Sequence, residues 1–258
     1  KKIIENPDLI PYMKYAKFVK IDKYKDAKWN SYNCIVYTHS FLDAQLWYGD
    51  DGFKNLYDWL IFTIQELLKK KYKIIIKAHP NFYNSQIGEM SNIDKNIFNK
   101  IKKKFNSKNI FYINEPIKNF DILKKVSKKT LLISHHGSAL LEGMYLGFKC
   151  VSSESTFWNS EFILTNQWNS KQAYQGILSK KWKDLIFPNK NHLHDLINNV
   201  FWKSKSIYGK QYHLEIISRA SKISREEMYK MQHKIKIKSK IRNKIINELD
   251  KSIEEVKL

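Results

Sequence analysis

KIIIKAHP at residues 73–80 and TLLISHHGS at residues 130–138 are the two stretches of sequence that decide the fold. Each begins as a short apolar run, which is typical of a strand buried in a parallel sheet. Each then ends abruptly on polar residues that are able to bind a ligand. In open α/β sheets, ligands bind just beyond the carboxyl ends of the strands. Two strand ends rich in His, Lys, Ser and Gly therefore predict one site for an anionic ligand.

Further strands and helices alternate with these two strands along the chain. Apolar runs predict five strands, at residues 33–38, 73–77, 109–113, 130–134 and 148–152. Apolar residues at helical spacing predict helices at 52–71, 92–105, 119–127 and 138–146, the last of them ended by Gly147 at the C′ position. Such alternation with short connections predicts βαβ units and an α/β fold, a doubly wound, Rossmann-like parallel sheet.

The regular pattern weakens towards both ends of the chain. Residues 1–32 have no clear period and begin with Lys rather than Met, so we expect a linker or the remnant of an N-terminal domain. Residues 33–200 form the predicted Rossmann-like domain, in which 154–190 are expected to be loop-like, as a lid or rim. Residues 201–258 are highly charged and are predicted to form a basic helical C-terminal extension.

The charge of the chain comes almost entirely from lysine. The net charge is +21, and of 46 basic residues only Arg219, Arg225 and Arg242 are arginine. Arginine is the usual reader of base edges and the usual bidentate phosphate ligand, so this composition argues against a nucleic-acid partner and indicates an AT-rich genome. We expect the basic tail to contact anionic lipid instead, at the inner face of the plasma membrane.

Cysteine content and hydropathy indicate the compartment. Cys34 and Cys150 both lie in apolar runs and form no CxxC motif, which is typical of a reducing cytoplasm. The sequence has neither a signal peptide nor the roughly 18 uninterrupted apolar residues that a membrane span needs. A cytoplasmic protein is expected.

The end of the second strand supplies the first candidate residues. His79 is placed to donate a hydrogen bond to a phosphate, and Lys77 lies two residues earlier on the same strand face. Pro80 fixes the exit of the chain. The alternative is a histidine bonded to a loop, with the proline acting only as a strand terminator.

The end of the fourth strand supplies the second group. Gly137 permits a tight turn, and the start of the following helix offers free backbone N–H groups to a phosphate near His136 and Ser138. Ser138 alone could be only an N-cap. Two adjacent histidines without an accompanying Asp, Glu or Cys set predict no metal site, and no cofactor is expected.

Three more residues complete the candidate set. Glu142 follows Ser138 by four residues and shares its helix face, where a carboxylate can bind ribose hydroxyls; a solvated helix charge is the alternative. His39 and Asp43 follow the first strand, and either is a candidate general base, although an Asp in a loop often only caps or turns.

Two neighbouring clusters allow simpler interpretations. The pair Asp50 and Asp51 is predicted to cap the first helix. Aromatic rings interleaved with amides are expected either to stack on a sugar or to pack a loop onto the domain: Phe157, Trp158, Asn159, Asn166, Gln167, Trp168 and Asn169.

The order of these motifs resembles that of bacterial capsule and surface polysaccharide biosynthesis glycosyltransferases. The shared pattern is His-Ser-Phe-x-Asp after a strand, Tyr-Asp-Trp-Leu in a helix, Ile-Lys-Ala-His-Pro-Asn, and His-Gly-Ser-x-x-x-Glu-Gly-x-x-x-Gly. It covers residues 33–155 and is similar to the GT-B type, above all to Kdo- and sialyl-type capsule transferases and to teichoic acid glycerophosphotransferases.

The resemblance implies a GT-B donor-binding domain and roles for individual residues. It puts His79 and Ser138 at the donor phosphate and Glu142 near the ribose. The transferases often carry a Ser-Ser or Ser-Thr pair where this chain has His136-Gly137-Ser138, and this difference leaves the donor open.

The expected activity is metal-independent transfer of a sugar from a nucleotide-activated donor, with CMP-linked donors favoured. The acceptor would be a growing capsule or surface polysaccharide, or a lipid-linked glycan. Transfer of a polyol phosphate from a CDP-glycerol type donor is one alternative. A catalytically inert module that binds or assembles polysaccharide is another.

Overall fold

The computed structural model describes residues 18–25, 27–41, 51–83, 89–156 and 163–193. The chain divides into two units, and all of the described residues lie in the first of them, residues 1–198.

A six-stranded, entirely parallel sheet forms the centre of the fold. Its strands are β1 (Cys34–Tyr37), β2 (Ile74–Lys77), β3 (Ile110–Ile113), β4 (Leu131–Ser134), β5 (Cys150–Ser153) and β6 (Asn166–Trp168). The spatial order is β3-β2-β1-β4-β5-β6, so the chain winds outward from β1 in both directions. The predicted α/β fold with a doubly wound, Rossmann-like parallel sheet is confirmed, and β1, β2, β4 and β5 are buried along their whole length.

Five α-helices within the described ranges pack on the two faces of the sheet. They are α1 (Leu56–Lys69), α2 (Glu89–Lys104), α3 (Asn119–Lys125), α4 (Ala139–Tyr145) and α5 (Lys171–Ser179). Residues of α1, α2 and α5 share one apolar cluster with alternate strand residues such as Val36, Ile76 and Ile133. The intervening strand residues face the other side of the sheet, where α4 packs against Leu132.

The first helix begins later than the sequence pattern predicts. Asn55, not Asp51, caps it by accepting a hydrogen bond of 2.8 Å from the Asp58 N–H, and Asp50 lies outside the described residues. The Asp51 carboxylate instead accepts hydrogen bonds from the hydroxyls of Ser153 and Ser155 at the end of β5. The prediction that the aspartate pair caps the helix was therefore wrong for Asp51, because a partner from a distant strand binds its carboxylate.

The end of α4 is a complete glycine C-cap. Gly147 has a φ of 79°, its N–H donates to the Met144 carbonyl at 3.0 Å, and the Phe148 N–H donates to the Gly143 carbonyl at 2.9 Å. These two bonds satisfy carbonyls that the helix end would leave without partners. The predicted C′ position of Gly147 is confirmed.

Two helical glycines should respond oppositely to substitution by alanine. A Cβ on Gly143 would lie 2.1 Å from the Leu132 Cδ1 atom, whereas a Cβ on Gly176 would meet nothing within 4 Å. We expect Gly143→Ala to lower the free energy of unfolding by about 1–3 kcal/mol through overpacking. Gly176→Ala should raise it by about 0.5–1 kcal/mol, since alanine is the better helix former. Urea unfolding of both variants measures the difference, and equal effects would contradict the tight α4–sheet contact.

Residues 163–193 are more regular than the loop predicted for 154–190. They contain β6, α5 and a short 3-10 helix at Trp182–Asp184. Ser170 caps α5 by accepting a hydrogen bond from the Ala173 N–H at 3.2 Å. The prediction of a loop was wrong here because a strand of three residues with polar side chains shows no apolar run. Phe157, Trp158 and Asn159 lie outside the described residues.

A buried lysine ties this region to the sheet. Lys149 is 2% exposed, and its ammonium donates to the carbonyls of Trp182, Lys183 and Leu185. It also lies 4.2 Å from the Trp182 ring and 4.4 Å from the Phe187 ring. Three carbonyls and two ring faces provide a site for the cation in an otherwise apolar region.

The segment before β1 packs against the edge strand β3. The Val19 N–H donates to the Pro116 carbonyl at 2.9 Å. The Phe111 ring is contacted by Tyr24, Trp29 and Tyr32 at centroid distances of 5.6, 5.9 and 5.8 Å. The described part of residues 1–32 therefore packs against a side chain of the edge strand β3.

The C-terminal extension predicted for residues 201–258 lies outside the described residues. Among the helices that the structure does describe, none has the length and apolar character needed to cross a bilayer.

Candidate functional site

Three neighbouring strands end together at the carboxyl edge of the sheet. In the register of the sheet, Tyr37 of β1 pairs with Lys77 of β2 on one side and with Ser134 of β4 on the other. After β1, the chain forms β2 and β3 on one side of β1 and then crosses over to form β4 on the other side. The junction of β1 and β4 is therefore the topological switch point, where ligands bind in this class of fold.

Three of the histidines predicted from the sequence come together at this point. The ring of His39 stacks on that of His136 at a centroid distance of 3.8 Å and lies 6.1 Å from that of His79. The His39 Nε2 atom accepts a hydrogen bond from the His136 backbone N–H at 3.3 Å and lies 3.2 Å from the Ser134 hydroxyl. Because Nε2 is an acceptor here, the ring proton of His39 lies on Nδ1.

These histidines are neutral at physiological pH. Burial lowers the pKa of His79 to about 3, with a further contribution from Lys77. Burial lowers the pKa of His136 to about 3 as well, helped by His135 and His79. The pKa of His39 lies well below its usual value, first through burial and then through His136 and the other two rings. Each ring therefore carries one N–H donor and one acceptor nitrogen and has no positive charge.

His135 belongs to a different layer from the other three. Its ring meets Trp59 and Trp168 edge-on at 5.7 and 5.5 Å, and its Nδ1 atom lies 3.0 Å from that of His136. It links the site to the aromatic core. Across the described ranges, no group of three or more His, Cys, Asp or Glu residues is placed to hold a metal ion.

The turn after β4 is held by its own hydrogen bonds. The Gly137 N–H donates to the Ser134 hydroxyl at 3.1 Å, and a Cβ on Gly137 would lie 2.5 Å from that oxygen. The Gly137 N–H is therefore used within the turn, and the His136 N–H donates to the His39 Nε2 atom. Ser138 occupies the N-cap position of α4 but makes no capping hydrogen bond through its side chain.

Two other N–H groups of this turn remain available. Within the described part of the chain, neither Ser138 nor Ala139 donates a backbone hydrogen bond. The Ser138 side chain is exposed at the same place. The amides that could hold a phosphate are thus those of Ser138 and Ala139, at the start of α4.

Lys77 is a buried cation next to the histidines. It is only 5% exposed, and no described residue lies within hydrogen-bond or ion-pair distance of its ammonium. Strand alternation directs it away from Ile76 and towards the face covered by α3 and α4. Burial lowers the pKa of Lys77 to about 8, and the negative charge of Glu142 partly offsets this shift.

Glu142 is partly buried on the same face of the sheet. Burial raises its pKa to about 7, while a hydrogen bond from Asn119 and the charge of Lys77 act in the opposite direction. The Tyr37 hydroxyl donates to the Asn119 Oδ1 atom at 2.6 Å. Asn119 was predicted only as the start of a helix, and no local sequence signal marks it as a member of this polar cluster.

A second residue that sequence reasoning missed is Asp94 on α2. It is 1% exposed, and its carboxylate accepts hydrogen bonds from the Ser40 hydroxyl and, at 2.9 Å, from the Phe41 N–H. It therefore fixes the backbone directly after His39. In the sequence, Asp94 is an aspartate among lysines on a predicted helix, and this pattern does not predict either hydrogen bond.

Pro80 and Asp43 are the two remaining residues of the predicted site. Pro80 starts a 3-10 helix, Pro80–Tyr83, where its fixed φ suits the first position. It carries no side-chain donor or acceptor for a ligand. Asp43 lies outside the described residues.

Comparisons with known proteins find little similarity. No protein-family model and no curated protein matches the chain. Among solved structures, it is similar to Methanocaldococcus jannaschii UDP-GlcNAc 2-epimerase in complex with UDP-GlcNAc and UDP, with 15% sequence identity and a TM-score of 0.39. That similarity covers 78% of this chain, which spans about half (50%) of the length of the epimerase chain. The fold assignment therefore rests on the strand order described above.

Proposed function

We propose that this protein is a metal-independent, GT-B-type glycosyltransferase that moves a sugar from a nucleotide-activated donor to a growing capsule or surface polysaccharide. The observation that carries the proposal is Lys77. It is a buried cation without a hydrogen-bond partner among the described residues, and it lies beside the switch point of a doubly wound sheet. Burying a charge without a hydrogen-bond partner is costly, and a bound ligand of opposite charge would offset that cost.

The charge of the strand ends favours a donor that carries one negative charge at its phosphate. Lys77 is the only cation among the described strand-end residues, and His39, His79 and His136 are neutral. A CMP-linked sugar has a single phosphodiester charge, which one ammonium balances. A CDP-glycerol type donor has a diphosphate with a second negative charge and would need a further cation.

The neutral donors around Lys77 complete the proposed phosphate site. The rings of His79 and His136 lie at the same strand ends, and the amides of Ser138 and Ala139 offer two N–H groups. Such preorganised donors stabilise the charge that develops on the departing phosphate. In this proposal Glu142 binds the donor next to Lys77, on the ribose as the family resemblance implies.

The proposal gives His39 a positioning role. Its Nε2 atom already accepts the His136 N–H, and its ring supports the His136 ring by stacking. A general base must be free to accept a proton from the acceptor hydroxyl. We therefore assign that role to Asp43 and not to His39.

Turnover of a donor tests the proposal directly. With CMP-, CDP- and UDP-activated donors and a polysaccharide acceptor, we expect nucleotide release by the wild type with a CMP-linked donor. His79→Ala should lower that rate at least about tenfold, equivalent to about 1.4 kcal/mol of activation free energy. The exposed His192 is the control, and His192→Ala should leave the rate unchanged. An active wild type with an equally active His79→Ala variant would contradict the assigned role.

A further inference from the structure

Two open grooves follow α3 on the outer side of the sheet. One, of about 540 Å³, lies between residues 18–20 and the start of α3. The other, of about 720 Å³, lies between residues 27–31 and the end of α3. Lys124 lines both grooves, which therefore adjoin, and we call the two together the lysine groove. None of the strand-end residues of the candidate site lines it.

The walls of the lysine groove carry a concentrated positive charge. Five lysines line it, Lys20, Lys28, Lys118, Lys124 and Lys125, against the single acidic residue Asp121. Among the described residues, Lys20, Lys28, Lys124 and Lys125 form no ion pair. Their charges are therefore available to a partner.

Aromatic rings form part of the same surface. Phe120 is partly exposed, and the Lys124 ammonium lies 4.1 Å from the centre of its ring. Phe18 also lines the groove, and the Trp29 ring lies buried at its base, 9% exposed. A partner of the groove thus meets apolar ring faces between cationic side chains, a combination that suits amphipathic, charged sugar units.

The lysine groove begins beside the candidate site. Asn119, the first residue of α3, accepts the hydrogen bond from the Tyr37 hydroxyl at the end of β1. From there, the seven residues of α3 extend for about 10 Å towards the opposite edge of the sheet. A chain lying in the groove would have one end close to the carboxyl edge of the sheet.

We propose that the lysine groove binds an anionic polysaccharide chain, as the acceptor of the transfer reaction; its role as acceptor rests on the proposed function. A concave groove about 10 Å long fits an extended polymer better than a planar bilayer. The described residues contain no arginine, the residue preferred for nucleic-acid recognition, whereas lysine side chains suit carboxylates spaced along a polymer.

The test compares two triple variants of the full chain that lose the same charge. Lys20→Gln, Lys124→Gln and Lys125→Gln change the groove, and Lys102→Gln, Lys103→Gln and Lys104→Gln change the end of α2 on the other face of the sheet. The probe is polygalacturonate at about 0.15 M salt, where long-range charge effects are screened. We expect the groove variant to bind about tenfold more weakly than the wild type and the α2 variant less than about threefold more weakly.

Further probes decide between kinds of partner. Neutral dextran should not bind, which would support recognition of charge. Equal loss in both triple variants would overturn the proposal, because binding would then reflect net charge alone. Groove-dependent binding that is tighter for phosphatidylserine vesicles or oligo-dT than for polygalacturonate would overturn it as well and identify a membrane or a nucleic acid.

A second measurement distinguishes failure of the groove assignment from failure of the proposed function. Thermal unfolding with and without CMP reports on the strand ends and should respond equally in the wild type and the groove variant. If CMP has no effect on the wild type while polygalacturonate binding still depends on the groove lysines, the groove assignment stands and the transferase proposal falls. If both triple variants bind polygalacturonate equally weakly while CMP still stabilises the wild type, the groove assignment falls and the transferase proposal stands.

Discussion

Replacing Lys77 with methionine should make the protein more stable and, at the same time, abolish its binding of nucleotide. The pKa of Lys77 is lowered from 10.5 to about 8, so keeping its charge in the folded state at neutral pH costs about 3 kcal/mol. Methionine removes this cost and has a similar shape. Because Glu142 loses its neighbouring cation, we expect a net gain of about 1–3 kcal/mol in the free energy of unfolding.

Urea unfolding and the response to CMP measure the two effects separately. Lys103→Met, at an exposed position on α2, is the control and should change the free energy of unfolding by less than about 0.5 kcal/mol. In Lys77→Met, CMP should no longer raise the stability. A variant that is destabilised, or one that keeps its response to CMP, would contradict the proposed role of this lysine.

The pH dependence of stability provides a second readout for Lys77. Between pH 8 and 10.5 the unfolded chain keeps the lysine proton while the folded chain has lost it, so the contribution of Lys77 to stability rises with pH. Lys77→Met should lack this rise over the same window. The difference between the two curves isolates the buried ammonium from the exposed lysines, which both proteins share.

Replacing Asp94 with alanine should produce a large loss of stability. The substitution leaves the Ser40 hydroxyl and the Phe41 N–H buried without their acceptor. Each unsatisfied buried donor costs about 1–3 kcal/mol, so we expect a decrease of about 3 kcal/mol or more in the free energy of unfolding. Urea unfolding at pH 7 measures it.

Asparagine at position 94 is the matched control for that experiment. Its oxygen can still accept the Phe41 N–H, and its amide can donate to the Ser40 hydroxyl. We therefore expect Asp94→Asn to lose less than half of what Asp94→Ala loses. Equal losses would show that the negative charge matters and not the pair of hydrogen bonds.

The sheet was predictable because its central strands begin as buried apolar runs. In β2 and β4 every residue is buried, and a parallel strand covered on both faces needs such an uninterrupted run. In contrast, β6 consists of Asn166, Gln167 and Trp168, and its two amide side chains give no apolar run. Its place in the sheet comes from pairing with β5, which is a tertiary interaction.

The residues of the candidate site were predictable in part. The sequence places polar residues directly after apolar strands, and parallel strands end at one edge, so the proximity of His39, His79 and His136 follows. That these histidines are neutral does not follow from the sequence, because their burial in the folded protein sets their pKa values. The same holds for the lowered pKa of Lys77.

The supporting residues were not predictable. Asn119 and Asp94 lie 82 and 53 residues along the chain from Tyr37 and Phe41, their respective partners at the end of β1. Such contacts form only when helices from opposite faces of the sheet meet the same strand end. Asp51 illustrates the reverse case: its place before a helix suggests a cap, but serines at the end of β5 bind it instead.

Thermal unfolding of the full-length protein with CMP, compared with CDP and UDP, tests the central claim most directly. A nucleotide at 100 times its Kd adds about 2.7 kcal/mol to the free energy of unfolding of the protein that binds it. For a chain of this size, that corresponds to a rise of about 5–10 °C in Tm. We predict this rise with CMP, a smaller one with the diphosphates, and none in Lys77→Met. A Tm that no nucleotide changes would contradict a donor site at the switch point of the sheet.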